Sequence, residues 1–99
     1  MSERAPLPCS EMQDIREQID ALDKRIVALL AERQKLIAEA GKVKPSRDMV
    51  RDEARIEEVI ALVLAEAETA GLAGEIAEPV WRQLIERSIA YEYGVFDKR

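Results

Sequence analysis

Residues 11–44 have the sequence EMQDIREQIDALDKRIVALLAERQKLIAEAGKVK, and this stretch decides the fold. Its apolar residues recur at alternating steps of three and four, which is typical of one stripe along an α-helix. Gly41 weakens the end of this helix and Pro45 stops it, because the residue before a proline disfavours helical angles. The pattern predicts helix 1 at about 11–44, opened by a capping box of Ser10 and Gln13. The stripe consists of Met12, Ile15, Ile19, Leu22, Ile26, Leu29, Leu36, Ala40 and Val43.

The length of helix 1 bears on assembly. About 34 helical residues extend roughly 50 Å, whereas a globule of this chain's 99 residues has a radius of gyration of only about 13 Å. One copy of the remaining chain cannot cover the whole stripe, so we expect a homodimer with the long helices packed side by side. The alternative is a single three-helix hairpin whose first helix bends.

Two further helices follow, at about 52–70 and 75–94, after the short connection 45–51. Gly71 is a helix stop, and Pro79 falls in or near the first turn of helix 3, where proline is tolerated. No strand pattern is visible, so the expected fold class is all-α: a three-helix chain with a long first helix, forming an intertwined homodimer. The residues expected to face inward are Ile56, Val59, Ile60, Val63, Leu64, Ala67, Ile76, Val80, Trp81, Leu84, Ile85 and Ile89.

Composition narrows the class of protein. The length suits one domain, at 11–99, behind a flexible N-terminal lead-in at 1–10. A net charge of −5 argues against nucleic acid as a partner. The chain has no histidine, which excludes imidazole catalysis, and its single cysteine, Cys9, suits a reduced cytoplasmic protein. With no apolar run near 20 residues and no apolar leader, we expect no membrane span and no signal peptide.

Three cations on helix 1 are candidate ligands for an anion. Arg33 fills the one vacant slot of the apolar stripe, where it either meets an anion, reaches solvent or pairs with a core carboxylate. Lys44 lies about three turns and 16 Å further on, facing nearly the same way, so a small dicarboxylate would fill the gap. Alternatively, Lys44 is only a partner of the helix dipole. Arg16 lies about 42 Å from Lys44, so it is either a surface arginine or approaches the pocket of a second, antiparallel subunit.

Two polar pairs lie on the other helices. Asp52 and Arg55 share a face at the start of helix 2, where they could form an ordinary first-turn charge pair. Ser88 and Glu92 lie on one face of helix 3 in an otherwise apolar stretch. There Ser88 could bond back to a helix carbonyl, and Glu92 could lie at the edge of the core.

Five segments together resemble the all-helical chorismate mutases. The segments DIREQIDALD (14–23) and LLAER (29–33) are similar to the family's first helix, and LIERSIAYE (84–92) to its third. The segments GKVK (41–44) and VRD (50–52), with Arg55 three residues later, are also similar. The resemblance spans about residues 12–96. It implies a dimer of three-helix chains with two shared sites, acting without a cofactor or metal in aromatic amino acid biosynthesis.

The resemblance also implies the site. Lys44, Glu92 and Arg33 would be catalytic in the Claisen rearrangement of chorismate to prephenate. Arg33, together with Arg16 of the partner subunit, would bind the two carboxylates, and Lys44 and Glu92 would face the ether oxygen. Glu92 can donate only when protonated, so activity is expected to rise on the acid side of neutrality. The full substrate-binding set would be Arg16, Arg33, Lys44, Asp52 (ring hydroxyl), Arg55 and Ser88 (carboxylates) and Glu92.

Alternatives remain open because the sequence departs from the mutase pattern. Ile56 stands where the family often has a glutamate, and Glu92 where many members have glutamine. The related isochorismate–pyruvate lyases can have an aliphatic residue after the arginine of helix 2. The spacings Cys9 to Arg16 and Lys44 to Arg55 are also similar to those of the lyases. A non-catalytic helical dimerisation module is the third hypothesis.

Overall fold

A computed structural model describes residues 9–99, which form three α-helices. Helix α1 is Cys9–Val43, α2 is Glu53–Ala70 and α3 is Gly74–Lys98, with a single 3₁₀ turn, Arg47–Met49, between α1 and α2. The described residues contain no strand, so the all-α prediction is confirmed. Within that range, no helix is both long enough and apolar enough to cross a membrane.

Three features of the helices differ from the prediction by more than one residue or in the role of a side chain. Helix α1 begins at Cys9, so Ser10 lies inside the helix instead of capping it, and the Gln13 amide bonds Glu17 four residues on (3.3 Å). Pro79 is the sixth residue of α3, beyond the first turn, so the helix lacks one internal backbone bond. Helix α3 also runs four residues past the predicted end, to Lys98. Most of the expected lead-in, residues 1–8, lies outside the described range.

Side-chain and backbone bonds close both ends of α2. Asp52 is its N-cap and accepts a hydrogen bond from the backbone N–H of Arg55 at 3.1 Å. At the other end Gly71 takes the left-handed conformation, with φ 79°, and Leu72 N–H bonds the carbonyl of Ala67 at 2.8 Å. Glycine adopts this conformation without a steric penalty, so the predicted helix stop at Gly71 is confirmed.

The chain divides into two compact units, and the second, Gln34–Arg99, holds the core. Ile56 and Ile60 of α2 pack with Ile85 of α3, flanked by Val59, Leu64, Trp81 and Ile89. Ile76 and Val80 were expected to face inward, but they are 53% and 51% exposed. Ala77 is buried instead, because the series Ala77, Trp81, Ile85 follows the face of α3 that packs on α2, and Ile76 lies about 100° away.

The first unit, described from Cys9 to Arg33, buries none of its described side chains within this chain. The stripe residues Met12, Ile15, Ile19, Leu22, Ile26 and Leu29 are between 47% and 62% exposed. The helix exists as its spacing predicts, but its apolar face is open in the single chain.

Candidate active site

Lys44 and Glu92 meet at the end of α1. Lys44 directly follows the last residue of α1, and its Nζ lies 2.6 Å from Oε2 of Glu92 on α3. Glu92 is only 4% exposed and is the one charged residue buried within residues 9–99. The structure therefore places the two side chains that were expected at the ether oxygen next to each other.

The contacts of this ion pair are incomplete. Lys44 Nζ also donates to the carbonyl of the buried Val50 at 3.4 Å. Oε2 of Glu92 is close to the Lys44 ammonium, but within residues 9–99 it accepts no hydrogen bond. A buried carboxylate oxygen without a hydrogen bond is costly. This oxygen is therefore available to accept a hydrogen bond from a ligand.

Gly41 allows α1 to approach α3 closely at this point. A Cβ there would lie 3.1 Å from the backbone oxygen of Glu92, 3.2 Å from its Cγ and 3.3 Å from Cβ of Val95. These distances are shorter than ordinary van der Waals contacts, so a side chain here would require α3 to shift by a few tenths of an ångström. The glycine weakens the helix end by propensity, but the structure gives it a second role, which is to bring the end of α1 against Glu92.

The side chains of Asp52 and Arg55 bind different partners, although their spacing would allow them to pair with each other. The carboxylate of Asp52 caps the backbone, while the Arg55 guanidinium pairs with Glu58 and stays 59% exposed. Ile56, which stands where a glutamate is common in the resembled family, is 7% exposed in the core. Its side chain therefore serves packing in this chain.

The remaining predicted residues lie on α1 and α3. Arg33 is partly buried, although Leu29 and Leu36 on either side of it in the stripe are 62% and 65% exposed. Ser88 is also partly buried, and both Arg33 and Ser88 make interactions of their own. Arg16 is exposed on the first unit.

Two ion-pair clusters that the sequence did not reveal join α2 and its N-terminal flank to α3. Arg51 makes two hydrogen bonds to Glu86, at 3.0 and 2.9 Å. Arg82 makes two to Glu57, at 3.0 and 3.1 Å. These hydrogen bonds lower the pKa of Glu86 and of Glu57 below their ordinary value. Glu57 is exposed and yet paired with an arginine.

An apolar cavity of about 310 Å³ lies elsewhere in the second unit, where α2 ends and α3 begins. It offers a ligand no cation, so it does not suit a dicarboxylate. Among the described residues, no cluster of histidine, cysteine or acidic side chains could hold a metal ion. The cavity is lined by Leu62, Val63, Glu66, Ala67, Leu72 and Trp81.

The comparison with known proteins agrees with the family resemblance of the five sequence segments. The family model described as chorismate mutase type II matches residues 15–93. The T-protein of Haemophilus influenzae is 32% identical over 90 residues, covering 82% of this chain and 22% of the relative. The T-protein of Enterobacter agglomerans is 33% identical over 84 residues, covering 84% and 22%. The bifunctional chorismate mutase/prephenate dehydratase of Escherichia coli is 45% identical over 53 residues, covering 48% and 14%. The chain thus spans about a fifth of the length of the two T-proteins.

Proposed function

Because the chain belongs to the chorismate mutase type II family, we propose that it converts chorismate to prephenate. The observation that carries this proposal is the Lys44–Glu92 pair, in which a partly buried ammonium and a buried carboxylate lie 2.6 Å apart. The rearrangement is intramolecular: the ether C–O bond breaks as a C–C bond forms, and no atom or electron is exchanged with the protein. The protein therefore has only to hold the reactive conformer and stabilise charge.

Lys44 and Glu92 act on the ether oxygen. Negative charge grows on that oxygen as the C–O bond breaks, and the Lys44 ammonium donates to it. Glu92 donates as well when its carboxyl group is protonated, since an ionised carboxylate would repel the growing charge. Burial of Glu92 keeps bulk water away from this point, which strengthens both interactions.

The two substrate carboxylates are bound by Arg33 and by Arg16 of a second copy, in a homodimer whose long helices lie side by side. The exposed stripe of α1 supports this assembly, because an apolar face of that length is otherwise left in water. Arg55 and Ser88 assist at the carboxylates. Asp52 uses Oδ1 to cap α2 and offers its second oxygen to the ring hydroxyl. We place the dimer in the cytoplasm, where the lone thiol of Cys9 stays reduced.

Lys44→Ala and Arg33→Ala test the proposal, with Lys42→Ala as the matched control. Lys42 is exposed and lies two residues before Lys44. Formation of prephenate from chorismate should fall by about 10²–10³-fold or more in each of the first two variants, while the dimer persists. Lys42→Ala should keep the wild-type rate. Equal rates in Lys44→Ala and Lys42→Ala would contradict the assignment.

The role of Glu92 is tested by pH. The wild-type rate should increase from pH ~8 to ~5 as the donating form of Glu92 is populated. Glu92→Gln carries a permanent donor, so its profile should be flat over the same range. A profile that is unchanged by the substitution would remove Glu92 from the mechanism.

The isochorismate–pyruvate lyase remains the alternative activity because of Ile56. A glutamate there could bond a substrate hydroxyl, but Ile56 is packed in the core and offers no polar group. The purified protein should form prephenate from chorismate and release no pyruvate from isochorismate. Pyruvate release without prephenate formation would replace the mutase by the lyase.

A further inference from the structure

Two sets of contacts join the C-terminal part of α3 and Arg99 to the end of α1 and to the connection after it, and we name their side chains the C-terminal clamp: Arg47, Tyr93, Asp97 and Arg99. Arg47 belongs to the connection between α1 and α2, and its Nε and Nη2 donate to the two oxygens of Asp97 at 2.9 and 3.3 Å. The same guanidinium stacks on Tyr93, 4.3 Å from the ring centroid. Two parallel hydrogen bonds and a ring contact fix the orientation of the Arg47 side chain more tightly than a simple ion pair would.

Arg99 makes the second half of the clamp. Pro45 has no N–H, so the carbonyl of Gly41 lacks its usual donor four residues on. Arg99 supplies a donor instead: its Nη1 lies 3.4 Å from the carbonyl oxygen of Gly41 and 2.9 Å from that of Lys42. The last residues of the chain thus cap the end of α1.

Lys44 lies between these two attachments. Two residues before Lys44, the carbonyl of Lys42 accepts a hydrogen bond from Arg99, the C-cap of α3. Three residues after Lys44, Arg47 donates to Asp97 in the last turn of α3. The backbone that carries the ammonium is therefore held, on both sides of Lys44, to the helix that carries its partner carboxylate.

We propose that the C-terminal clamp sets the position of Lys44 against Glu92, which makes Arg47 and Asp97 positioning residues. This inference rests on the proposed mutase function. A catalytic group that is misplaced by about 1 Å can lose up to about 10²-fold in rate. The Arg47 and Asp97 side chains are 59% and 48% exposed, and such surface pairs stabilise a fold only weakly. Breaking the pair should therefore lower the rate much more than the melting temperature.

The test compares Arg47→Ala, Asp97→Ala and the swapped variant Arg47→Asp/Asp97→Arg. Arg82→Ala is the control, because it removes an exposed pair with two hydrogen bonds to Glu57, together with a bond to Glu78, from the same unit at a distance in sequence from Lys44. We expect kcat to fall about tenfold or more in both single clamp variants, with KM within about twofold. The swapped variant should recover part of the loss. Arg82→Ala should keep the wild-type kcat.

Amide hydrogen exchange of residues 44–50 gives a second readout that needs no substrate. Exchange there should be faster in Arg47→Ala than in Arg82→Ala. Equal kcat in these two variants, or equal exchange in this segment, overturns the proposal. If the wild-type protein does not convert chorismate, the proposed function fails, and the exchange result alone then decides whether the clamp holds the connection.

Discussion

The N-terminal part of α1 and the α2–α3 pair both carry apolar residues at helical spacing, but only α2 and α3 bury them within one chain. Ile56, Ile60 and Ile85 are at most 7% exposed, whereas the stripe residues of the N-terminal part of α1, from Met12 to Leu29, are between 47% and 62% exposed. A periodic apolar face thus predicts a helix equally well in both regions, but it does not say which surface will cover that face. For the stripe of α1, the proposed second copy would be that surface.

The largest effect is expected from a charge placed on the α1 stripe. Leu22→Asp should abolish the proposed dimer, since each of two buried leucines contributes about 1.5–3 kcal/mol. Ala31→Asp puts the same charge on the opposite, exposed side of the same helix, half a turn round from Leu22, and should leave assembly intact. Sedimentation velocity over a range of concentrations measures both. If the two variants sediment alike, the stripe is not the interface.

A medium effect is expected from adding a side chain at Gly41, where α1 approaches α3 closely. Gly41→Ala should lower the free energy of unfolding by about 1 kcal/mol, because overpacking against Glu92 and Val95 exceeds the gain in helix propensity. Gly94→Ala is its control: a Cβ there meets nothing within 4 Å, so that variant should be neutral or more stable. Urea denaturation compares them, and equal stabilities would show that α1 can shift away from α3 at no cost.

The smallest effect concerns the ion pairs between α2 and α3. Hydrogen bonds from Arg82 and Arg51 lower the folded-state pKa of Glu57 and Glu86 below the ordinary value of 4.5. Their stabilisation is therefore complete above the unfolded-state pKa and is lost as the pH falls through the folded-state pKa. Arg82→Ala should lower the melting temperature slightly at neutral pH and by progressively less below pH ~4.5. A difference in melting temperature that does not change with pH would mean that Arg82 stabilises through packing alone.

The sequence predicted the helices well because their signals are local. The α1 stripe, Pro45 and Gly71 placed the three helices within a few residues of their bounds. The inward face of α3 was partly wrong, since Ile76 and Val80 are apolar but exposed, and apolarity alone does not separate a core from a surface that awaits a partner.

The candidate site was less predictable because its contacts are distant in sequence. Lys44 and Glu92 were placed together by family resemblance and not by periodicity. Arg47 and Asp97 are 50 residues apart, and Arg51 and Glu86 are 35 apart. Pairs of exposed charges carry no local pattern, so neither the clamp nor the α2–α3 ion pairs could be predicted from the chain alone.

In the proposed dimer a second copy completes the site around Lys44, and subunit complementation is the experiment that detects such a shared site. Arg16→Ala and Lys44→Ala homodimers should each be nearly inactive. In a mixed dimer one site loses both side chains and the other keeps both. When the two variants are co-expressed in equal amounts, about half of the dimers are mixed, and each mixed dimer has one intact site out of two. Activity should therefore return to about one quarter of wild type. If the mixture is no more active than the two separate variants, each chain carries its own complete site and the account is contradicted.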